Sequence, residues 1–134
     1  MSHRIRSARV LLAAGALSVL VLAGCSPEQM ALYQRVQAEL RASDKFAHVL
    51  TDAQLARLRQ CESGGNYRIV SASGAYRGAY QFHRRTWNSV AGRHYRYLVG
   101  VDPAAAVPHD QDRMARALWA EAGRSPWPHC GRRV

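Results

Sequence analysis

The sequence predicts a small α+β domain, mainly helical with a short β-hairpin, that follows an export signal and a spacer. Three observations predict this architecture. An apolar run near the N-terminus is too short to cross a bilayer, two later segments carry helical spacing or helix-end signals, and two β-prone runs between them flank Ser and Gly residues. The 134 residues leave room for one small domain beside the signal and the spacer.

Residues 1–24 have the pattern of a lipoprotein signal peptide. Three arginines among the first nine residues form a positive region, and Val10 to Leu22 is almost entirely apolar. Thirteen residues are short for a bilayer core, which requires about 20 in a helix. The run leads into the string LAGC, which ends at Cys25 and resembles the lipobox of bacterial lipoproteins.

Cys25 would then be lipidated and become the first mature residue, so that its acyl chains hold the protein on the outer face of the cytoplasmic membrane. The alternative is an ordinary signal peptide with a chance cysteine. Residues 25–50 carry no motif and are interpreted as a spacer. Met30, Tyr33 and Leu40 recur at near-helical spacing, which favours a short amphipathic helix.

The formal charge of +10 comes almost entirely from arginine. In an exported protein, the nearest polyanions are cell-wall polymers and anionic lipid headgroups. Nucleic acid is not expected as a partner, because the basic residues are scattered and no nucleic-acid-binding motif is present.

If Cys25 is lipidated, Cys61 and Cys130 remain, and an even pair in an exported chain indicates a disulfide. A metal site that uses His129 and Cys130 is the alternative. The six histidines show no paired ligand spacing, so neither a metal nor another cofactor is expected.

Thr51 and Gln54 form a capping box that predicts the start of a helix, and Gly64 and Gly65 predict its end. Glu62 therefore falls in the last helical turn. Unpaired carbonyls at a helix end and partial burial both raise a carboxyl pKa, as a general acid requires. A solvated glutamate that closes a helix fits the local pattern equally well.

Two β-prone runs, residues 66–70 and 75–82, predict a hairpin around the turn residues 71–74. Thr86 and Trp87 open the next helical stretch. A further helix is predicted from Asp110 to Glu121.

Four strings occur in order: CESGGNY, GAYQF, TW and SPWPHC. Together they resemble the resuscitation-promoting factor or transglycosylase-like domain of actinobacteria. The similarity covers Thr51 to Cys130, and the predicted domain is 51–134.

The resemblance implies a lysozyme-like fold that acts on peptidoglycan between N-acetylmuramic acid and N-acetylglucosamine. It implies that Glu62 is the catalytic acid, that Gln81 and Thr86 line the substrate groove, and that a Cys61–Cys130 bridge forms. Trp87 and Trp127 match positions interpreted as structural.

Two departures from the family pattern, at Tyr67 and at residues 77–80, affect the groove near Tyr76 and Tyr80. These two tyrosines are candidates to contact sugar, and packing is the alternative for each.

The number of carboxylates bears on the mechanism, because most glycosidases place two of them across the cleaved bond. No acid lies between Ser63 and Val101, and the later acids Asp102, Asp110, Asp112 and Glu121 sit in no catalytic motif. A lone acid favours a lytic transglycosylase, with hydrolysis in the same site as the alternative. A wall-binding or signalling module without activity is the second class of function, and a cell-wall hydrolase is a candidate partner.

Overall fold

The computed structural model describes residues 26–134, so the predicted signal peptide and Cys25 lie outside the described residues. Within this range the chain forms four α-helices, one two-stranded antiparallel sheet and two short 3-10 helices. This is the mainly helical α+β architecture that the sequence predicts. No helix in the described range is long and apolar enough to cross a membrane.

The spacer contains helix α1, Pro27–Ala42. Its start is stabilised by a reciprocal pair of hydrogen bonds, because Ser26 Oγ accepts from the Gln29 N–H at 3.2 Å and Gln29 Oε1 accepts from the Ser26 N–H at 2.9 Å. Met30 and Tyr33 remain exposed. The predicted helix is therefore present, with these two apolar side chains facing solvent.

Helix α2, Asp52–Ser63, begins at the predicted capping box. Thr51 Oγ1 accepts from the Gln54 N–H at 3.2 Å, and Gln54 Oε1 accepts from the Thr51 N–H at 2.9 Å. Leu55 and Leu58 are fully buried. The apolar face of α2 thus packs into the core while its C-terminal end reaches the surface.

The β-hairpin is present but lies further along the chain than the sequence pattern predicts. Strand β1, Tyr76–Arg77, pairs with strand β2, Phe82–His83, so the turn between them is formed by residues 78–81. Across the predicted turn at residues 71–74, the two β-prone runs are joined by a single antiparallel bridge.

Side chains at the predicted turn account for this difference. Ser71 Oγ accepts from the Tyr76 N–H at 3.0 Å, and Ser73 Oγ accepts from the Ala75 N–H at 3.3 Å. Hydroxyls that accept from nearby backbone N–H groups compete with a strand ladder. Pairing therefore shifts to the next turn.

Helices α3, Arg84–His94, and α4, Pro108–Ala122, each begin two residues earlier than the sequence patterns predict. His83 caps α3, because its Nδ1 accepts from the Arg85 N–H at 3.2 Å. Pro108 occupies the first turn of α4, where its missing N–H costs nothing. A histidine cap and a proline start are weaker sequence signals than a capping box.

The core lies between α2, α3, α4 and the hairpin. The indole N–H groups of two core tryptophans are hydrogen-bonded to backbone carbonyls. Trp87 donates to Leu98 O at 3.0 Å, and Trp127 donates to Tyr80 O at 2.9 Å. Both side chains are buried, as expected for structural residues.

The structure contains the expected disulfide between Cys61 in α2 and Cys130. Their Cα atoms are 5.6 Å apart, and their sequence separation is 69. Cys130 begins the C-terminal 3-10 helix, Cys130–Arg133. The bond therefore ties the end of α2 to the end of the chain.

The chain packs against the domain from Asp44 onwards, ahead of residue 51. Arg116 of α4 is buried, with its Nε donating to Leu50 O at 3.0 Å and its Nη1 lying 3.3 Å from Asp44 Oδ2. Asp44 and Leu50 are also buried. Residues 44–50 thus supply two of the hydrogen bonds that a buried arginine requires, and Asp52 Oδ1 accepts a third from Arg116 Nη2 at 2.7 Å.

Candidate active site

Glu62 is the second-last residue of α2, and a glycine turn ends the helix directly after it. Gly64 and Gly65 adopt φ angles of 65° and 81°, a region that glycine enters without a steric penalty. The Gly64 N–H donates to Gln60 O at 3.0 Å, and the Gly65 N–H donates to Arg59 O at 3.1 Å. The turn directs the backbone away and leaves the Glu62 side chain partly buried at the surface.

Two adjoining cavities form a cleft beside this glutamate. The acid cavity, which includes Glu62, has a volume of about 320 Å³, and the inner cavity has a volume of about 150 Å³. The two share Tyr76, Gln81, Pro126 and Trp127, so they lie side by side. The acid cavity is completed by Pro128 and His129, and the inner cavity by Tyr80, Phe82, His83, Thr86 and Leu118.

The cleft brings together the five side chains that were predicted to act in catalysis or to line the substrate groove. Glu62, Tyr76 and Gln81 line the acid cavity, and Tyr80 and Thr86 line the inner cavity. They come from α2, strand β1, the hairpin turn and α3.

Burial raises the pKa of Glu62 above the ordinary value for a carboxyl, and the nearby His129 acts in the opposite direction. His129 lies in the same cavity because the disulfide joins the two neighbouring residues: Glu62 follows Cys61, and His129 precedes Cys130. The arrangement favours a protonated carboxyl that faces the cleft.

Among the described residues that line the cleft, Glu62 is the only carboxylate. The later acids contact other side chains: Asp102 contacts Arg77 and Arg84, Asp110 contacts Tyr97, Asp112 contacts Tyr67 and Tyr80, and Glu121 contacts Arg93 and His94. Hydrogen bonds from Arg77 and Arg93 hold the pKa values of Asp102 and Glu121 below their usual range, so these two carboxylates stay ionised.

Gln81 has a backbone φ of 51°, in the left-handed region that non-glycine residues seldom adopt. Its Nε2 donates to Gly78 O at 3.0 Å, which fixes the orientation of the amide. Strained backbone of this kind clusters at functional sites. Residue type gives no signal of it, and the tight turn at residues 78–81 is what imposes it.

The two candidate groove tyrosines differ in exposure. Tyr76 is 51% exposed and lines both cavities, so its ring is accessible to a ligand. Tyr80 has 0% exposure and forms the wall of the inner cavity, so packing rather than sugar stacking describes its ring.

The sequence patterns did not predict that residues near the C-terminus line the groove. The C-terminal wall of the cleft is formed by Pro126, Trp127, Pro128 and His129. The available signal was the pairing of Cys130 with Cys61, which places the residues before Cys130 beside Glu62. Within residues 26–134, no group of three or more side chains is arranged to bind a metal ion.

A mainly helical α+β domain with one partly buried glutamate in a cleft defines a lysozyme-like domain. The chain belongs to the transglycosylase-like domain family, whose model matches residues 49–130. The family that the motifs suggest is thereby confirmed.

Curated relatives agree with this assignment. Resuscitation-promoting factor RpfC of Mycobacterium tuberculosis is 36% identical over 96 residues, which cover 72% of this chain and 63% of the relative. Probable transglycosylase SceD of Staphylococcus aureus is 38% identical over 85 residues, or 63% of this chain and 36% of the relative. The chain thus spans less than two thirds of these relatives. No solved structure matches significantly.

Proposed function

We propose that this protein cleaves peptidoglycan glycan strands between N-acetylmuramic acid and N-acetylglucosamine, with Glu62 as the acid. The observation that carries the proposal is a single carboxyl, with its pKa raised by burial, that faces the cleft of a transglycosylase-like domain. The relative named as a probable transglycosylase supports the same class of reaction.

In this mechanism protonated Glu62 donates its proton to the glycosidic oxygen, and the bond from that oxygen to the muramyl anomeric carbon breaks. The muramyl 6-hydroxyl attacks the anomeric carbon and gives up its proton to the Glu62 carboxylate. The products are a free 4-hydroxyl on one fragment and a 1,6-anhydro end on the other. Glu62 is protonated again at the end of the cycle.

The other cleft residues would bind the sugars. The exposed ring of Tyr76 offers an apolar face for a sugar, and Gln81 and Thr86 offer polar groups. Trp127 and Pro126 also line both cavities. The buried Tyr80 would shape the inner cavity.

The lone carboxylate favours this intramolecular reaction over hydrolysis, since the described part of the cleft offers no second carboxylate to activate water. Hydrolysis with Glu62 as the acid is the second candidate. A wall-binding or signalling module is the third, and it would not require Glu62 to be protonated.

Export and anchoring belong to the same proposal. Lipidated Cys25 would lie two positions before α1 and would hold the domain at the outer face of the cytoplasmic membrane, where a cell-wall hydrolase could act beside it. Labelling of cells with a tagged fatty acid tests this step: wild type should carry the label, and a labelled Cys25→Ser variant would contradict lipidation at this residue.

The test of the reaction is digestion of purified peptidoglycan by wild type and Glu62→Gln, followed by mass spectrometry of the fragments. Wild type should release fragments with 1,6-anhydromuramyl ends, and the variant should release none. Glu39→Gln, a change at an exposed site in α1, is the matched control and should behave as wild type.

The fragments also separate the candidates. Reducing ends, heavier by one water, would identify hydrolysis. Equal products from wild type and Glu62→Gln would overturn the role of Glu62, and no products from wild type would leave binding as the function.

A further inference from the structure

Tyr80, in the wall of the inner cavity, belongs to a hydrogen-bonded group of four side chains. We call this group the tyrosine cluster: Tyr67, Tyr80, Asp112 and Arg59. The hydroxyls of Tyr67 and Tyr80 both donate to Asp112 Oδ1, at 2.8 Å and 2.6 Å. Arg59 Nη1 donates to the Tyr80 hydroxyl at 3.3 Å and lies 3.8 Å from Asp112 Oδ1. One carboxylate thus holds three other side chains.

Two hydrogen bonds of this cluster join a tyrosine hydroxyl to the Asp112 carboxyl oxygen, and bonds from a hydroxyl to a carboxylate are of the strong kind. Burial and the negative charge of Asp112 raise the pKa values of Tyr67 and Tyr80, so both phenols stay protonated and remain donors. The side chain of Asp112 is only 24% exposed, which limits competition from water.

The residue before Asp112 holds the same two segments through their backbone. Gln111 is 1% exposed, its Oε1 accepts from the Ala79 N–H at 2.8 Å, and its Nε2 donates to Tyr67 O at 2.9 Å. Two consecutive residues of α4 therefore fix both the loop that contains Tyr67 and the turn that leads to Gln81.

The cluster is linked to Gln81 and Trp127 in the cleft and to the helix that carries Glu62. Tyr80 immediately precedes Gln81, and the Tyr80 carbonyl accepts from the indole N–H of Trp127 at 2.9 Å. Arg59 lies on α2, three positions before Glu62. Displacement of the Tyr80 ring would therefore move Gln81 and Trp127 relative to the acid.

We propose that Asp112 and Tyr80 are positioning residues: the Asp112 carboxylate anchors the Tyr80 hydroxyl and thereby holds Gln81 and Trp127 in place opposite Glu62. Neither residue supplies a proton to the substrate. As far as it concerns catalysis, this inference rests on the proposed cleavage of glycan strands.

The chain offers a control arrangement around a second aspartate of α4. The Tyr97 hydroxyl donates to Asp110 Oδ1 at 2.6 Å and accepts from Arg113 Nη1 at 2.7 Å, which repeats the tyrosine, aspartate and arginine arrangement away from the cleft. Tyr80→Phe and Tyr97→Phe each remove one hydroxyl from such an arrangement. Tyr97 is 59% exposed whereas Tyr80 is buried, so Tyr97→Phe shows the effect of losing such a hydroxyl at the surface. A merely structural role of the Tyr80 hydroxyl would lower the melting temperature of Tyr80→Phe without a selective effect on the cleft.

Kinetics on soluble glycan fragments provide the first readout. Tyr80→Phe should lower kcat about tenfold with KM within twofold of wild type, since misplaced groups lose orientation in the reacting complex. Tyr97→Phe should keep the wild-type kcat. Asp112→Asn, which retains an acceptor oxygen, should keep more activity than Asp112→Leu. Equal kcat values for Tyr80→Phe and Tyr97→Phe would overturn the proposal.

NMR of isotope-labelled protein provides a readout that needs no activity. The Gln81 side-chain amide and the Trp127 indole N–H resonances should shift in Tyr80→Phe and stay unchanged in Tyr97→Phe. Unshifted resonances in both variants would overturn the positioning role even if wild type is active. If the resonances shift in Tyr80→Phe but wild type has no activity, the positioning role is supported and only the proposed cleavage is refuted.

Discussion

In the proposed mechanism, proton transfer depends on Glu62 and on His129, which lines the same cavity. Glu62 acts as an acid only while protonated, so activity falls as the pH rises through its pKa. Burial raises that pKa and extends activity to higher pH than an ordinary carboxyl would allow. Positive charge on His129 stabilises the carboxylate and lowers the pKa again.

His129→Gln removes this charge, so the pKa of Glu62 rises where His129 was charged. The alkaline limb of the kcat profile should move to higher pH, with about twofold more activity on that limb. Peptidoglycan digestion across a pH series measures the shift. His48→Gln alters an exposed histidine outside the cleft and should leave the profile unchanged; an unshifted limb in His129→Gln would contradict the coupling.

The position of Glu62 could be predicted because local chemistry fixes it: a capping box starts α2, and two glycines end it. The role of Asp112 could not be predicted. Its tyrosine partners lie 32 and 45 positions away in sequence, and neither helical spacing nor a motif links them.

Among the elements, the hairpin departs most from its sequence pattern. The tight turn at residues 78–81 requires a backbone without a side chain at Gly78, where φ is 77° and an added Cβ would meet Gln111 Oε1 as well as Pro103 O at 3.0 Å. The sequence shows the glycine but not the buried amide that crowds it, because that contact depends on how α4 packs. Both ends of α2 were predictable from local signals, whereas this turn was not.

Gly78→Ala should therefore lower the free energy of unfolding by roughly 3 kcal/mol, through backbone strain and steric overlap together. Gly74→Ala is the matched control: its φ of 73° imposes similar strain, but nothing lies within 4 Å of an added Cβ. We expect the control to lose only about 1 kcal/mol. Urea unfolding followed by circular dichroism measures both, and equal losses would show that crowding at Gly78 contributes nothing.

In the molecule as a whole, the disulfide connects helix α2, which carries Glu62, with the C-terminal wall of the cleft. Replacement of Cys61 and Cys130 by serine should lower the free energy of unfolding by about 4 kcal/mol, because the unfolded chain regains the freedom of a long loop. Chemical unfolding of the oxidised protein and the double variant measures the difference. A reducing agent should lower the stability of wild type and leave the double variant unchanged; equal stability of the two proteins would show that the bond adds nothing.

The same bond makes assembly of the cleft depend on the compartment. A disulfide of this kind forms and persists in oxidising surroundings, whereas cytosolic reductants keep thiols apart. A newly made chain in the cytosol therefore lacks the covalent link that holds His129 beside Glu62. Under the proposed export, that link would form outside the cytosol, so the complete cleft would be assembled where peptidoglycan lies.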